Sequence, residues 1–442
     1  MGLEIFTVGG YEEVGKNCTA IKVDDDVLII DMGLHLPNYI KYTEEEGETV
    51  AKFTAKELKG VGAIPNDDFI HDLRKKVKAI FSTHAHLDHI GAIPYLSNKY
   101  DCPIFAPAFA CAVLRSISKD DKMPIRNPIN AIRPGNVIRV SSGIKVEVIN
   151  STHSIPQTVM LAVHTRYGTV LYTNDFKFDD MPILGNKPDY EALERLGDKG
   201  VHALIVDSLY ADEAIKTPSE SVAKELLRDV MLGVRSKGRA MIVTTFSSHL
   251  ARLKSIIEFG RKLDRNIVFL GRSLSKYIKA GEEVGLINFS KQAKVLKYGG
   301  QVRQMLKKVE KNPGKYLLVV TGHQGEPKAI LSRMASGKLP FQFDPEDHVV
   351  FSCKVIPTDI NRKYRARLEK QLRGHGVRIF TDIHVSGHAA REDLRDLLNM
   401  VRPRHVIPSH AEIDKSNALA GLAREMGYKD VHVVGNGRRL RL

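Results

Sequence analysis

The run Thr83-His84-Ala85-His86-Leu87-Asp88-His89 constrains this chain more than any other feature. It follows an apolar strand pattern over residues 78–82 and precedes a helical pattern over residues 90–98, so it belongs on a short turn at a strand end. Four side chains can converge there. A lone histidine is most often a packed or solvated residue, but three histidines and one aspartate so close together point to metal binding. Imidazole and carboxylate donors without thiolate suit Zn²⁺, with Mn²⁺ as the alternative. One motif cannot complete two metal shells, so further ligands must come from other strand ends. His153 follows a strand ending at Ile149, Asp175 follows one ending at Thr173, and His410 closes Ile407-Pro408-Ser409-His410. Together they offer histidines for two ions and a carboxylate that can bridge them. Two ions roughly 3.5–4 Å apart activate water and neutralise phosphate oxygens, which is phosphodiester chemistry. Asp31, ending another apolar strand, reads either as an acceptor that orients a ligand histidine or as a turn residue.

The elements around these residues divide the chain. Strands are expected over residues 3–8, 18–23, 27–30, 78–82, 144–149, 159–165 and 169–173, the first three joined as a meander by polar turns such as Asp24-Asp25-Asp26. Beyond about Val206, strands near 240–244, 267–269, 316–320 and 348–351 alternate with helices near 250–262, 302–311, 328–336 and 359–374, the signature of a parallel α/β sheet. Thr217-Pro218-Ser219-Glu220 predicts a helix start, with Thr217 as cap, Pro218 in the first turn and Glu220 completing a capping box. The tail from about Val377 returns to motifs that complete the first site. The expected organisation is therefore a first domain over 1–207, an inserted one over 208–376, and the remainder of the first over 377–442.

Composition narrows the partners. A chain of 442 residues exceeds the usual single domain, and 43% hydrophobic with 27% charged residues is globular. Lys and Arg number 66 against 52 Asp and Glu, a net charge of +14 that favours polyanions without choosing RNA over DNA. Cys18, Cys102, Cys111 and Cys353 have neither zinc-finger nor disulfide spacing. The N-terminus carries no secretion signal and no run approaches a membrane span, so a cytoplasmic protein is expected.

Several runs then carry a resemblance. Val8-Gly9-Gly10-Tyr11-Glu12-Glu13-Val14-Gly15-Lys16-Asn17, Thr244-Thr245-Phe246-Ser247-Ser248, Thr321-Gly322-His323-Gln324-Gly325-Glu326-Pro327 and His384-Val385-Ser386-Gly387-His388 resemble ribonuclease J, in the β-CASP branch of the metallo-β-lactamase superfamily. The resemblance implies an α/β protein: an αββα sandwich with an inserted parallel α/β β-CASP domain. It implies two zinc ions, one held by His84, His86 and His153, the other by Asp88, His89 and His410, with Asp175 bridging. It pairs Asp207 with His388 near the scissile phosphate, so that His388 can protonate the leaving 3′ oxygen. Ser247 and Ser248, at a strand-to-helix passage, are phosphate binders or helix caps. His384, Ser386, Gly387 and His388 resemble a pocket for a 5′-terminal phosphate.

The implied activity is stepwise 5′-to-3′ hydrolysis of single-stranded RNA with a 5′-monophosphate end. A β-CASP endonuclease on RNA or DNA is the nearest alternative. A small-molecule hydrolase fits poorly with so large an insert, and a non-catalytic binder with so full a ligand set. Two departures stand out: His249 replaces a small polar residue, and the chain stops at Leu442 without the C-terminal domain of bacterial members, like the archaeal form. A homodimer stays open.

Overall fold

The alternating apolar residues of the first thirty positions form the meander they predict. The computed structural model describes residues 2–45, 53–120, 123–297, 299–356 and 358–442. Strands β1 (Leu3–Gly9), β2 (Cys18–Val23) and β3 (Asp26–Ile30) pair antiparallel in succession. β4 (Val77–Phe81), β5 (Ile104–Pro107) and β6 (Ile129–Ile132) extend them in parallel. There follow β7 (Val137–Arg139), β8 (Lys145–Asn150), β9 (Val159–Thr165), β10 (Gly168–Asn174) and β11 (Val201–Asp207). The middle of the chain supplies β12 (Met241–Thr244), β13 (Asn266–Leu270), β14 (Lys294–Leu296), β15 (Tyr316–Val320), β16 (His348–Phe351) and β17 (Arg378–Phe380). The tail adds β18 (His405–Ser409), β19 (Asp430–Val431) and β20 (Arg438–Arg441).

The tail rejoins the first part. One seven-stranded sheet runs β20-β1-β2-β3-β4-β5-β6 and the other β19-β18-β11-β10-β9-β8-β7. Along β9, Val159, Leu161 and Val163 enter one core while Met160 and Ala162 enter another, the period of two that a strand imposes. The first core also contains Ile5, Ile21, Leu28 and Phe81, so it is the interior between the two sheets. The second is covered by helices Tyr190–Lys199, Arg391–Val401 and Ile413–Glu425 through Leu196, Leu397 and Leu422. Helix Ala108–Asp120 packs beside β5 and β6. Burying each Leu or Ile stabilises this arrangement by roughly 1.5–3 kcal/mol. It is the αββα sandwich expected.

The sandwich comprises Met1–Asp180, Gly185–Thr217 and Ser386–Leu442, and the second compact unit Met181–Leu184 and Pro218–Val385. Both passages fall later than residues 207 and 376. Residues 208–217 stay with the sandwich because Tyr210 bridges to Ala390 and the Thr217 hydroxyl donates to the His388 carbonyl at 2.8 Å. Residues 377–385 stay with the insert because β17 pairs with β16.

The insert is a six-stranded sheet, β14-β13-β15-β12-β16-β17, with every neighbouring pair parallel. Helices Gly299–Glu310, Ile330–Ala335 and Asp359–Gly374 share a core with it through Leu306, Leu331 and Leu368. Two local expectations are corrected. The helix begins at Glu220 with Ser219 as its cap, accepting from the Ser221 N–H; Glu220 instead grips Arg252, which leaves no carboxylate for a capping box. The helix expected over 90–98 is two short pieces, Leu87–Ile90 and Ile93–Leu96, and a 3₁₀ turn, because Pro94 has no N–H for the Ile90 carbonyl. All four cysteines are buried free thiols. Among the described residues no helix is long and apolar enough to cross a membrane.

Candidate metal centre

The predicted ligands meet at strand ends of the sandwich. Asp31 follows β3, Asn174 ends β10 and His410 follows β18, and all three have left-handed backbone, φ 61°, 59° and 56°. Such conformations cost non-glycine residues about 1–3 kcal/mol each, so the surrounding fold must impose them. The loop after β3 is lashed to the histidine turn by Met32 N–H to the His89 carbonyl at 2.8 Å and Leu34 N–H to the Leu87 carbonyl at 2.9 Å. A Cβ on Gly33 would lie 1.6 Å from the Asp88 carbonyl oxygen, so only glycine allows this approach.

Two groups of donors result. His84, His86, His153 and Asp175 form one, and Asp88, His89, Asp175 and His410 the other, each with donor atoms within 4.8 Å of one another. Asp175 belongs to both. Its Oδ2 lies 3.7 Å from His84 Nε2, 3.6 Å from His153 Nε2 and 3.2 Å from His89 Nε2, while Oδ1 lies 3.5 Å from His410 Nδ1. Asp88 Oδ2 reaches His89 and His410 at 3.9 and 4.0 Å.

Neighbours aim the rings. Buried Asp31 accepts from Thr83 N–H at 2.9 Å and from His89 Nδ1 at 2.8 Å, which turns His89 Nε2 toward Asp175. It also accepts from the Thr83 hydroxyl, so it is an orienting acceptor rather than a bare turn residue. His153 Nδ1 donates to the Gly387 carbonyl at 2.6 Å, leaving Nε2 as the lone pair. A Cβ on Gly387 would sit 2.8 Å from His153 Nδ1 and 2.7 Å from Ser154 Cβ, so the close approach this glycine permits is to His153.

The donor set fits divalent cations. His86 Nδ1 stands 3.1 Å from His84 Nε2 and 3.2 Å from His153 Nε2, more nitrogens than one N–H can satisfy. Buried Asp175 Oδ1 has no hydrogen-bond partner. Burial lowers His84 and His153 well below the ordinary histidine range, and His86 to about 4, which favours the neutral rings that metals bind. Burial opposes charge on His89 too, but Asp175, Asp31 and Asp88 overcome it and raise that ring well above 6.5. Burial likewise opposes the Asp175 carboxylate, yet His410 and His89 hold it well below the usual range.

Asp207 and His388 stand beside this centre. Asp207, at the end of β11, is fully buried, and its Oδ2 accepts from His388 Nδ1 at 2.7 Å. Asp175, Asp207 and His388 again bring donor atoms within 4.8 Å. Burial pushes His388 down, but Asp207 and Asp175 outweigh it and raise it to about 9. Its side chain keeps 19% exposure, so a proton on it is accessible. The Ser386 hydroxyl accepts from the His388 N–H at 3.0 Å, and the Tyr210 ring flanks His388 at 6.0 Å.

The residues read as phosphate binders are divided between the units. Ser386, Gly387 and His388 belong to the sandwich, and Ser247, Ser248 and His384 to the insert. Ser247 and Ser248 form a turn after β12, and neither caps the helix Leu250–Lys262; His249 does, with its Nδ1 3.4 Å from the Arg252 N–H. His249 Nε2 also lies 3.3 Å from Glu220, which accounts for a histidine where a small polar residue was expected. Burial, then Arg252, lowers His384 to about 2, which favours a neutral ring there. Asn17 went unnoticed as a site residue although it closes the first run of the resemblance. It lies within hydrogen-bond distance of His89 and His410.

The chain is similar to known proteins along most of its length. Residues 11–204 match the metallo-beta-lactamase superfamily, residues 237–365 the beta-CASP domain of ribonuclease J, and residues 377–434 the Zn-dependent metallo-hydrolase RNA specificity domain. The ribonuclease J of Methanocaldococcus jannaschii is 41% identical, covering 100% of this chain and 99% of its own. That of Pyrococcus abyssi is 42% identical over 98% and 96%, and ribonuclease J2 of Bacillus subtilis 28% over 98% and 74%. A protein of unknown function from Enterococcus faecalis V583 superposes with a TM-score of 0.65 at 17% identity over 100% of both chains, a likeness of fold alone.

Proposed function

Because the chain belongs to the ribonuclease J family and is a metal-dependent ribonuclease, we propose that it degrades RNA stepwise from 5′ to 3′, preferring 5′-monophosphate ends and using zinc. His84, His86 and His153 would hold one ion and Asp88, His89 and His410 the other, with Asp175 shared. When bound, two such ions supply Lewis acidity that activates water and offsets phosphate charge. The chain's own residues do the rest. Asp31 and Gly387 fix the orientation of ligand rings, and His388, held by Asp207, delivers the proton to the leaving 3′ oxygen.

The observation that carries this reading is the Asp207–His388 pair at 2.7 Å beside a carboxylate common to two donor groups. It supports a proton donor next to an attacked phosphate. The end preference rests on Ser386, Gly387 and His388 of the sandwich: the last is that donor, so a terminal phosphate bound by the first two would be gauged against the scissile bond. A time course on RNAs with hydroxyl, monophosphate or triphosphate 5′ ends, plus a circular RNA, tests it in Zn²⁺ and Mn²⁺. Mononucleotides should leave the monophosphorylated RNA fastest and circles should stay intact. Internal fragments or cut circles would replace the directional reading with an endonuclease.

A further inference from the structure

The run that ends in Asn17 has no part in the chemistry above, yet its last side chain reaches into the centre. Asn17 is 2% exposed. Its Nδ2 lies 3.0 Å from the Asp88 carbonyl, 3.0 Å from His89 Nε2 and 2.8 Å from His410 Nδ1. One amide thus touches three residues of a single donor group, two from the histidine turn and one from the far end of the chain. The other donor group receives no such contact from it.

A tie between loops would not need this side chain. The Asn17 backbone already makes it, donating to the Asp88 carbonyl at 3.1 Å and accepting from Gly33 N–H at 3.0 Å. The fit around the amide is close as well: a Cβ on Gly10 would lie 2.5 Å from Asn17 Oδ1, so glycine there leaves room for it. A neutral amide suits the position, since it can donate to imidazole and carbonyl without competing as a charged ligand. Two N–H groups facing three acceptors cannot serve all of them at once. A cation that takes the two imidazole lone pairs leaves the amide to the Asp88 carbonyl, its third partner.

We infer that Asn17 is a positioning residue for the second metal position: its amide gathers Asp88, His89 and His410 into one site and selectively sets that site's affinity. The inference rests on the two-metal reading. Outer partners of metal ligands typically govern affinity by roughly 10–100-fold, and a loss of that size at one position only is the expected effect of Asn17→Ala.

The test is metal counting on the full chain, by equilibrium dialysis against buffered free Zn²⁺ with elemental analysis, and again with Co²⁺ to follow its absorption spectrum. Wild type should bind two ions. Asn17→Ala should keep the first and bind the second 10–100-fold more weakly, with the melting temperature in excess chelator close to wild type. If the alanine variant fails to fold, Asn17→Ser, which keeps one small donor, is titrated instead and should show a smaller shift of the same kind. Unchanged affinity at both positions, or equal loss at both, overturns the assignment to Asn17. Wild type binding fewer than two ions would instead overturn the two-metal reading.

Discussion

Arg252 in the insert and Asp175 in the sandwich are both nearly inaccessible ions, but their surroundings differ in one respect. Each nitrogen of Arg252 has a partner. Nε and Nη2 grip Glu220 at 2.6 and 2.8 Å, and Nη1 reaches the Ser352 hydroxyl and carbonyl and the Ile383 carbonyl at 2.7, 2.9 and 3.1 Å. Asp175 has an oxygen without a hydrogen-bond partner, and the rings around it include three that burial drives toward neutrality. The first network is closed by the chain itself and so explains structure. The second is open, and its demand for a cation is what makes it a site.

The contrast can be broken in three places. Asp175→Asn removes the carboxylate common to both donor groups. Because metal ions stabilise transition-state charge by several kcal/mol, RNA hydrolysis should fall by at least about 10³-fold, with bound metal reduced and the circular dichroism spectrum unchanged. A variant that kept both metals and full turnover would remove Asp175 from the centre. Arg252→Ala should do the converse, lowering stability in urea by about 3–5 kcal/mol because the Glu220 carboxylate stays buried after losing its guanidinium partner, while the folded protein still binds metal. Replacing the pair together, Arg252→Met with Glu220→Leu, should restore most of the loss; failure to do so would mean the network acts through more than its ion pair. The smallest effect concerns the same helix start. Ser219→Ala should cost about 1 kcal/mol and Thr217→Ala should show no capping loss at the helix, since Ser219 and not Thr217 caps it. Unchanged stability in Ser219→Ala would contradict that assignment, whereas any cost of Thr217→Ala reports its hydroxyl's bonds to the His388 carbonyl and the Ala390 N–H.

Glu220 shows why some features were illegible. Its spacing from Thr217 satisfies a capping box, but its partner lies 32 residues away, and a buried guanidinium outcompetes a local N–H. His249 is a similar case, since its identity makes sense only once Glu220 is beside it. Apolar patterns mark where strands change character, whereas Tyr210 bridging to Ala390 decides which unit keeps the loop. Pro94 was visible in the sequence, and its effect on the 90–98 helix follows from backbone chemistry alone.

The sequence by itself determined the kinds of donor and their placement at strand ends, because residue type and a period of two are local properties. From these came the histidine turn, His153, Asp175 and His410, while the αββα sandwich that brings them together was implied by the resemblance to ribonuclease J. Only the tertiary structure decided which nitrogen of His89 and of His153 faces the donor groups. Asp31 takes one proton of His89, Gly387 takes one of His153, and Asn17 stands against His89 and His410 across 393 residues of chain. A hydrogen bond has direction as well as partners, and direction exists only after distant segments have packed.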